Sequence, residues 1–157
     1  MIRKARMSDV KVIQNLIGEY ARKGDMLPRS LSDIYENLRD YFVFENDAGE
    51  VIGSAAIHLM WEDLAEVRSL AVREGDMRRG IGTMLVEACI SEAIVLGITR
   101  VFALTYRPDF FKRLGFRQVD KAELPHKIWS DCLKCAKFPD CDEVALVADF
   151  TGSPRVA

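Results

Sequence analysis

Apolar residues recur at two spacings along this chain, and the switches between them mark its elements. Residues 2–6 alternate as a short strand, and Ser8 and Asp9 then offer side-chain oxygens to cap a helix. In the segment that follows, Val12, Ile13, Leu16, Ile17 and Tyr20 fall at helical spacing, and Gly24 supplies a stop. Pro28 marks a loop, after which Ser30 or Ser32 caps a second helix with Ile34, Tyr35 and Leu38 on one face. Residues 41–47 and 50–60 read as strands joined at Asp47, Ala48 and Gly49, a hairpin signal.

The next strand, 66–72, alternates so that Glu66, Arg68, Leu70 and Val72 share one side and Val67, Ser69 and Ala71 the other. A glycine turn leads from it into a helix over 81–97, with Ile81, Met84, Leu85, Ala88, Cys89 and Val95 or Leu96 on one stripe and Gly97 as its stop. A buried strand over 99–107, a short helix ending at Gly115 and a final strand over 143–150 complete the order β-α-α-β-β-β-α-β-α-β. This is a mixed α/β pattern. Residues 121–141 read as a functional loop, and 151–157 as a disordered tail to a single domain over 1–157.

With 157 residues, 49% of them hydrophobic, the chain can bury one core without disulfides. Twenty-two Lys and Arg against 24 Asp and Glu leave a net charge of −2, which excludes the broad basic face that nucleic acid or anionic lipid requires. No window approaches the roughly 18 to 20 apolar residues of a membrane span, so the expectation is a cytoplasmic protein with a small-molecule partner. Three of the four cysteines cluster as Cys132, Cys135 and Cys141, with His126 upstream. A Cys3His zinc site is the alternative they raise, but the third cysteine lacks a paired knuckle. Reduced thiols and no metal is the expectation.

The stretch DMRRGIGT, residues 76–83, carries the most chemistry. A helix N-terminus leaves about four backbone N–H groups without partners and carries partial positive charge, so a strand running through a glycine turn into a helix suits an anion. Gly80 and Gly82 let the backbone come close to a ligand, and Arg78 and Arg79 add charge. A Walker A loop needs GxxxxGK[ST], which is absent. A dinucleotide fingerprint needs a third glycine where Leu85 stands, within an N-terminal βαβ unit.

The order of elements, together with LAV(x)4MRRGIGT entering a helix, resembles the GNAT superfamily of acyl-CoA N-acyltransferases. The resemblance implies a mixed, mostly antiparallel sheet flanked by helices. It also implies that the family signature [QR]-x-x-G-x-[GA], here residues 77–82 with Met77 in its first position, holds the pyrophosphate of coenzyme A. On that likeness acetyl-CoA binds at Leu70, Ala71, Val72, Arg78, Arg79, Gly80, Ile81, Gly82 and Thr83. The strings GDMLPRS, AEVRSLAV, FALTYRPDFFKRLGF and LPHKIWSDCLKCAKFPDCDEVAL further resemble the acetyltransferase domain of N-acetylglutamate synthases, in its short form. This implies acetyl transfer to the α-amine of L-glutamate, a step of arginine biosynthesis.

An amine acceptor is largely protonated at neutral pH, so a base must take a proton before the nitrogen attacks the thioester. Glu66 lies on the strand preceding the glycine turn and matches the family's catalytic glutamate. Many GNAT enzymes protonate the leaving thiolate with a tyrosine at a position that is Phe111 here. Thr105 matches the synthases' Ser or Thr instead, with Tyr106 as the spare hydroxyl. Arg29 matches an arginine for the substrate carboxylate, and Arg68, Arg107 and Lys127 are candidates for the second one. Cys141 and Glu143 stand near the last strand where the two-domain synthases use an Arg and a Ser. Rival expectations are a GNAT enzyme for another small amine or a protein N-terminus, and a non-catalytic acyl-CoA-binding module. Of assemblies, a homodimer is the expectation.

Overall fold

The computed structural model describes residues 1–77, 79–125 and 143–150. In chain order the elements are β1 (Ile2–Lys4), α1 (Val10–Arg22), α2 (Leu31–Glu36), β2 (Tyr41–Glu45), β3 (Val51–Trp61), β4 (Leu64–Val72), α3 (Ile81–Val95), β5 (Arg100–Thr105), α4 (Pro108–Arg113), β6 (Arg117–Val119) and β7 (Val144–Asp149). The strands form one sheet in the order β1-β2-β3-β4-β5-β7-β6. Every neighbouring pair is antiparallel except β4 and β5. The expected mixed, mostly antiparallel sheet flanked by helices is therefore what forms. β6 was not expected from the sequence, because three residues with one buried apolar position are too short for a period-two signal.

Helices cover both faces. Ile13 and Ile17 of α1 and Ile34 of α2 pack on Tyr41, Val43 and Ala56 on one side. Leu85, Val86 and Cys89 of α3, with Phe111 of α4, pack on Ile57, Ala65, Val67, Val101 and Ala103 on the other. The apolar stripe of α3 runs through Ile81, Leu85, Cys89 and Ala93, while Met84, Val95 and Leu96, expected inside, are exposed. So many positions of this helix are apolar that its own pattern does not choose a face. Packing chooses it: a Cβ on Gly53 of β3 would lie 3.1 Å from Leu85 Cδ1 and 3.2 Å from Ile81 Cγ2, so the bare glycine lets the first turns of α3 settle on the sheet.

Two other local expectations change. Tyr35 is exposed, leaving Ile34 as the buried residue of α2. Asp9 does not cap α1: its carboxylate accepts the Arg6 N–H at 2.7 Å and the Arg3 guanidinium at 2.8 and 3.1 Å. Residues 7–9 form a single 3-10 turn, which aims that carboxylate back at β1. Ser30 does cap α2, accepting the Asp33 N–H at 3.0 Å.

The feature that positions the site is a bulge in β4. Ser54 opposes Ala71 and Ala56 opposes Arg68, so Ala55 alone faces Ser69 and Leu70, and Ser69 takes a left-handed φ of 58°. An extra residue reverses the parity of the strand. Glu66 and Arg68 stay on the α1 side with Ala56, but Leu70 and Val72 turn to the α3 side with Val67. The uninterrupted alternation expected over 66–72 is thus broken at its centre. Pairing of β4 with β5 covers only Leu64, Ala65 and Glu66 against Arg100, Val101 and Phe102. Beyond Glu66 the β4–β5 pairing ends, while β5 goes on pairing with β7 on its other edge as far as Thr105 opposite Val144.

Candidate active site

The separation of β4 and β5 opens a cleft of about 1060 Å³ with the N-terminus of α3 at one end and the loop before α2 at the other. Its walls include Arg29, Glu66, Arg68, Leu70, Val72, Gly80, Ile81, Gly82, Thr83, Thr105, Tyr106 and Arg107. Residues chosen for three different tasks therefore share one cavity. Ala71 is buried against Leu16 and Tyr20, so its side chain turns away from the cleft, and a contact from it must come through backbone. Arg79 is exposed and does not line the wall. Arg78, Lys127, His126, Cys132, Cys135 and Cys141 lie outside the described residues. Among the described residues no group of three or more His, Cys, Asp or Glu could hold a metal ion.

The anion end is built by backbone. Gly80 occupies the N-cap of α3 with φ 78°, and no side chain caps the helix. The first intrahelical bond of this turn is from the Met84 N–H to the Gly80 carbonyl, so the N–H groups of residues 81–83 have no acceptor within the helix. Gly82 sits against Phe110 of α4, whose ring would be 3.4 Å from an added Cβ. Asp76 is buried at the head of the turn, meeting Arg73 Nε at 2.6 Å and Arg79 Nη1 at 3.5 Å. Asp76 thus engages Arg73 and Arg79, while the amides of residues 81–83 are left without a helical acceptor.

Tyr20 joins this end from α1. Its hydroxyl donates to the Val72 carbonyl at 2.5 Å and lies 3.6 Å from Met77 Sδ. Burial pushes the phenol above its usual pKa, against the opposing pull of Arg107, so it remains a neutral donor at working pH. The sequence shows Tyr20 only as one more apolar-stripe position of α1. Nothing there signals that its polar end reaches the last residue of β4.

At the centre, Glu66 Oε1 lies 3.7 Å from Arg68 Nη1, and these side chains are only 14% and 13% exposed. Across the wedge, Thr105 Oγ1 accepts the Arg107 N–H at 2.8 Å. That bond uses the oxygen and leaves the hydroxyl hydrogen to donate elsewhere. Phe111 is buried with Phe110 and Phe116 in edge-to-face contact, filling the tyrosine position of many GNAT enzymes with core. Cys89 is fully buried, and burial pushes its thiol up to about 12. It cannot carry an acyl group as a thiolate.

At the other end, Arg29 is 12% exposed at its side chain and meets Asp33 at 3.5 Å. Tyr41, buried beneath, is hydrogen-bonded to Ser69 and feels both Arg29 and Arg68; burial still raises its pKa. Bulge, buried phenol and two guanidinium groups thus form one cationic corner. Glu143 also lines the cleft and brings an acid to it.

These features match the acetyltransferase (GNAT) family, whose model covers residues 11–116, and the chain belongs to that family. It is an acetyl-CoA-dependent N-acetyltransferase. It is 43% identical over 146 residues to an uncharacterized N-acetyltransferase of Chlorobaculum tepidum, covering 93% of this chain and 94% of that one. It is 34% identical to an amino-acid acetyltransferase of Mycobacterium tuberculosis, over 83% of this chain and 76% of that protein. N-acetylglutamate synthase from Neisseria gonorrhoeae, solved with coenzyme A and N-acetyl-glutamate, superimposes with a TM-score of 0.87 at 28% identity. That match covers 96% of this chain and 35% of the longer synthase.

Proposed function

We propose that the chain acetylates the α-amine of L-glutamate from acetyl-CoA by direct single displacement. The observation that carries this is one cleft, whose walls hold a carboxylate, a hydroxyl, a cationic corner and an uncapped helix N-terminus together. The N–H groups of residues 81–83, with Gly80 and Gly82 leaving the approach open, receive the cofactor's pyrophosphate. The open edge of β4 beyond Glu66 offers backbone to the pantetheine arm.

Glu66 takes a proton from the acceptor ammonium, and the freed nitrogen attacks the thioester carbonyl. The C–N bond forms and the C–S bond breaks; the nitrogen's second N–H bond breaks and its proton passes to the leaving sulfur, directly or through one water, so that coenzyme A departs as the thiol, with Thr105 donating a hydrogen bond to the charge that develops on sulfur. Arg29 and Arg68 hold one carboxylate of the acceptor, and Arg107 meets the other. The relatives named for amino-acid acetylation and for N-acetylglutamate support this acceptor class. Glu143 favours a second reading, an acceptor with a neutral amide side chain such as L-glutamine, because a carboxylate on the cleft wall can accept a hydrogen bond from an amide N–H, which a second carboxylate cannot give.

The test is acetyl-CoA turnover with a panel of free amino acids. Glutamate should exceed the others by about tenfold in kcat/KM, equivalent to about 1.4 kcal/mol of transition-state discrimination. Preference for glutamine selects the second reading, and equal rates across the panel overturn both. Glu66→Gln should lower kcat by about two orders of magnitude or more with the best acceptor.

A further inference from the structure

The base has neighbours on its far side that the chemistry above does not use. In the β3–β4 ladder Glu66 stands opposite His58, and in the β4–β5 ladder opposite Phe102. Residues so opposed project from the same face, with Cβ atoms about 5 Å apart. Phe102 is fully buried with Leu64 and Val147, so the β5 side of Glu66 below the cleft is closed by hydrocarbon. On the β3 side the neighbour is polar. His58 Nδ1 meets Asp40 Oδ2 at 2.6 Å, and the two side chains are 28% and 23% exposed. A carboxylate on Nδ1 fixes the tautomer and leaves Nε2 as the nitrogen that accepts a proton.

Single displacement on an ammonium acceptor delivers a proton to Glu66 in every cycle. With cofactor and acceptor in place the cleft side of that carboxyl is covered, and its polar, partly exposed neighbour on the β3 side is His58. We propose that His58, held by Asp40, is a positioning residue that resets Glu66 by carrying this proton to solvent. The Glu66 O–H bond breaks, the proton joins His58 Nε2 directly or through one water, and Glu66 returns to carboxylate. Asp40 balances the imidazolium until it releases the proton to bulk water. The charged groups facing His58 among the described residues are Asp40, from the turn before β2, and Glu66 and Arg68 from β4. The inference rests on Glu66 as the base.

The experiment uses the whole chain with acetyl-CoA and the fastest amino acid of the panel, comparing His58→Ala, His58→Gln, Asp40→Asn and Glu66→Gln. Both His58 variants should lose about tenfold in kcat, with KM for either substrate within about twofold, because proton removal and not binding is impaired. The solvent deuterium isotope effect on kcat should rise, the pH profile should change shape, and added imidazole should restore His58→Ala at least about threefold. Asp40→Asn should behave as a milder form of the same defect. Wild-type kcat in both His58 variants overturns the proposal, as does a loss that imidazole and isotope leave unchanged. If Glu66→Gln retains turnover, the base assignment itself falls. An inactive Glu66→Gln beside fully active His58 variants removes the relay alone.

Discussion

Adding a side chain at Gly53 should damage both stability and cofactor binding. The built Cβ lies 3.1 Å from Leu85 Cδ1, 3.2 Å from Ile81 Cγ2 and 3.6 Å from the Ala71 carbonyl oxygen. Ordinary carbon contacts need about 3.5 to 4.0 Å, so both methyl groups must retreat by a few tenths of an ångström. Both belong to buried side chains of the first turns of α3. Overpacking of this kind costs about 1–3 kcal/mol, against about 0.5–1 kcal/mol regained by removing a strand glycine. For Gly53→Ala the net is about 1 kcal/mol, or a Tm lower by about 2–4 °C. Gly53→Val adds two further methyl groups to the same space and should cost about 3 kcal/mol. Because Ile81 is the first residue of α3, its displacement carries residues 80–83 with it, and KM for acetyl-CoA should rise several-fold while the acceptor KM holds. Thermal melts and steady-state kinetics on Gly53→Val check both halves. A Tm within about 1 °C of wild type refutes the packing argument; a lower Tm with unchanged acetyl-CoA KM refutes its link to the site.

Three further outcomes follow from the geometry. Tyr20→Phe removes the 2.5 Å bond to the Val72 carbonyl and should raise KM for acetyl-CoA about fivefold, about 1 kcal/mol, with little change in kcat; an unchanged KM assigns Tyr20 to packing alone. Thr105→Val should lower kcat about tenfold while Thr105→Ser stays near wild type, since serine keeps both the Arg107 N–H acceptor and the donor hydrogen. Burial raises the Asp9 pKa, but Arg3 and the Arg6 N–H outweigh it and hold the carboxyl below the usual aspartate value. The stabilisation is therefore present above about pH 4 and is lost as pH falls through the lower folded pKa. Urea denaturation should show Asp9→Asn about 3 kcal/mol less stable than wild type at pH 7, with the gap narrowing steadily as pH falls below about 4; a constant gap refutes the ion-pair account.

The fold was legible wherever one period dominated a long enough segment. Ile13, Leu16, Ile17 and Tyr20 announced α1, and the strands around residues 47–49 announced their hairpin, because one buried face imposes one spacing. Legibility failed where a partner made the choice. The face of α3 depends on Gly53, a β3 residue that reads on its own as a weak strand position. β6 exists because β7 gives it a place to pair. Asp9 had the chemistry of a cap but found Arg3, which β1 presents six residues earlier.

The site divides in the same way, and Ser69 shows why. Read as a regular strand, residues 66–72 send Glu66 and Leu70 to one face. A single residue at φ 58° reverses the face of everything after it, giving Glu66 and Arg68 to the acceptor side and Leu70 and Val72 to the α3 side. Serine is not the residue that signals such a backbone, as glycine or asparagine would. The conformation is held from outside, by the Ser69–Tyr41 hydrogen bond and by β3, which continues its own pairing past the extra residue. Glycines at the anion end could be seen because their function is conformational and local. The proposed catalytic centre could be approached only through resemblance, since its geometry is the product of three strands and no one of them encodes it.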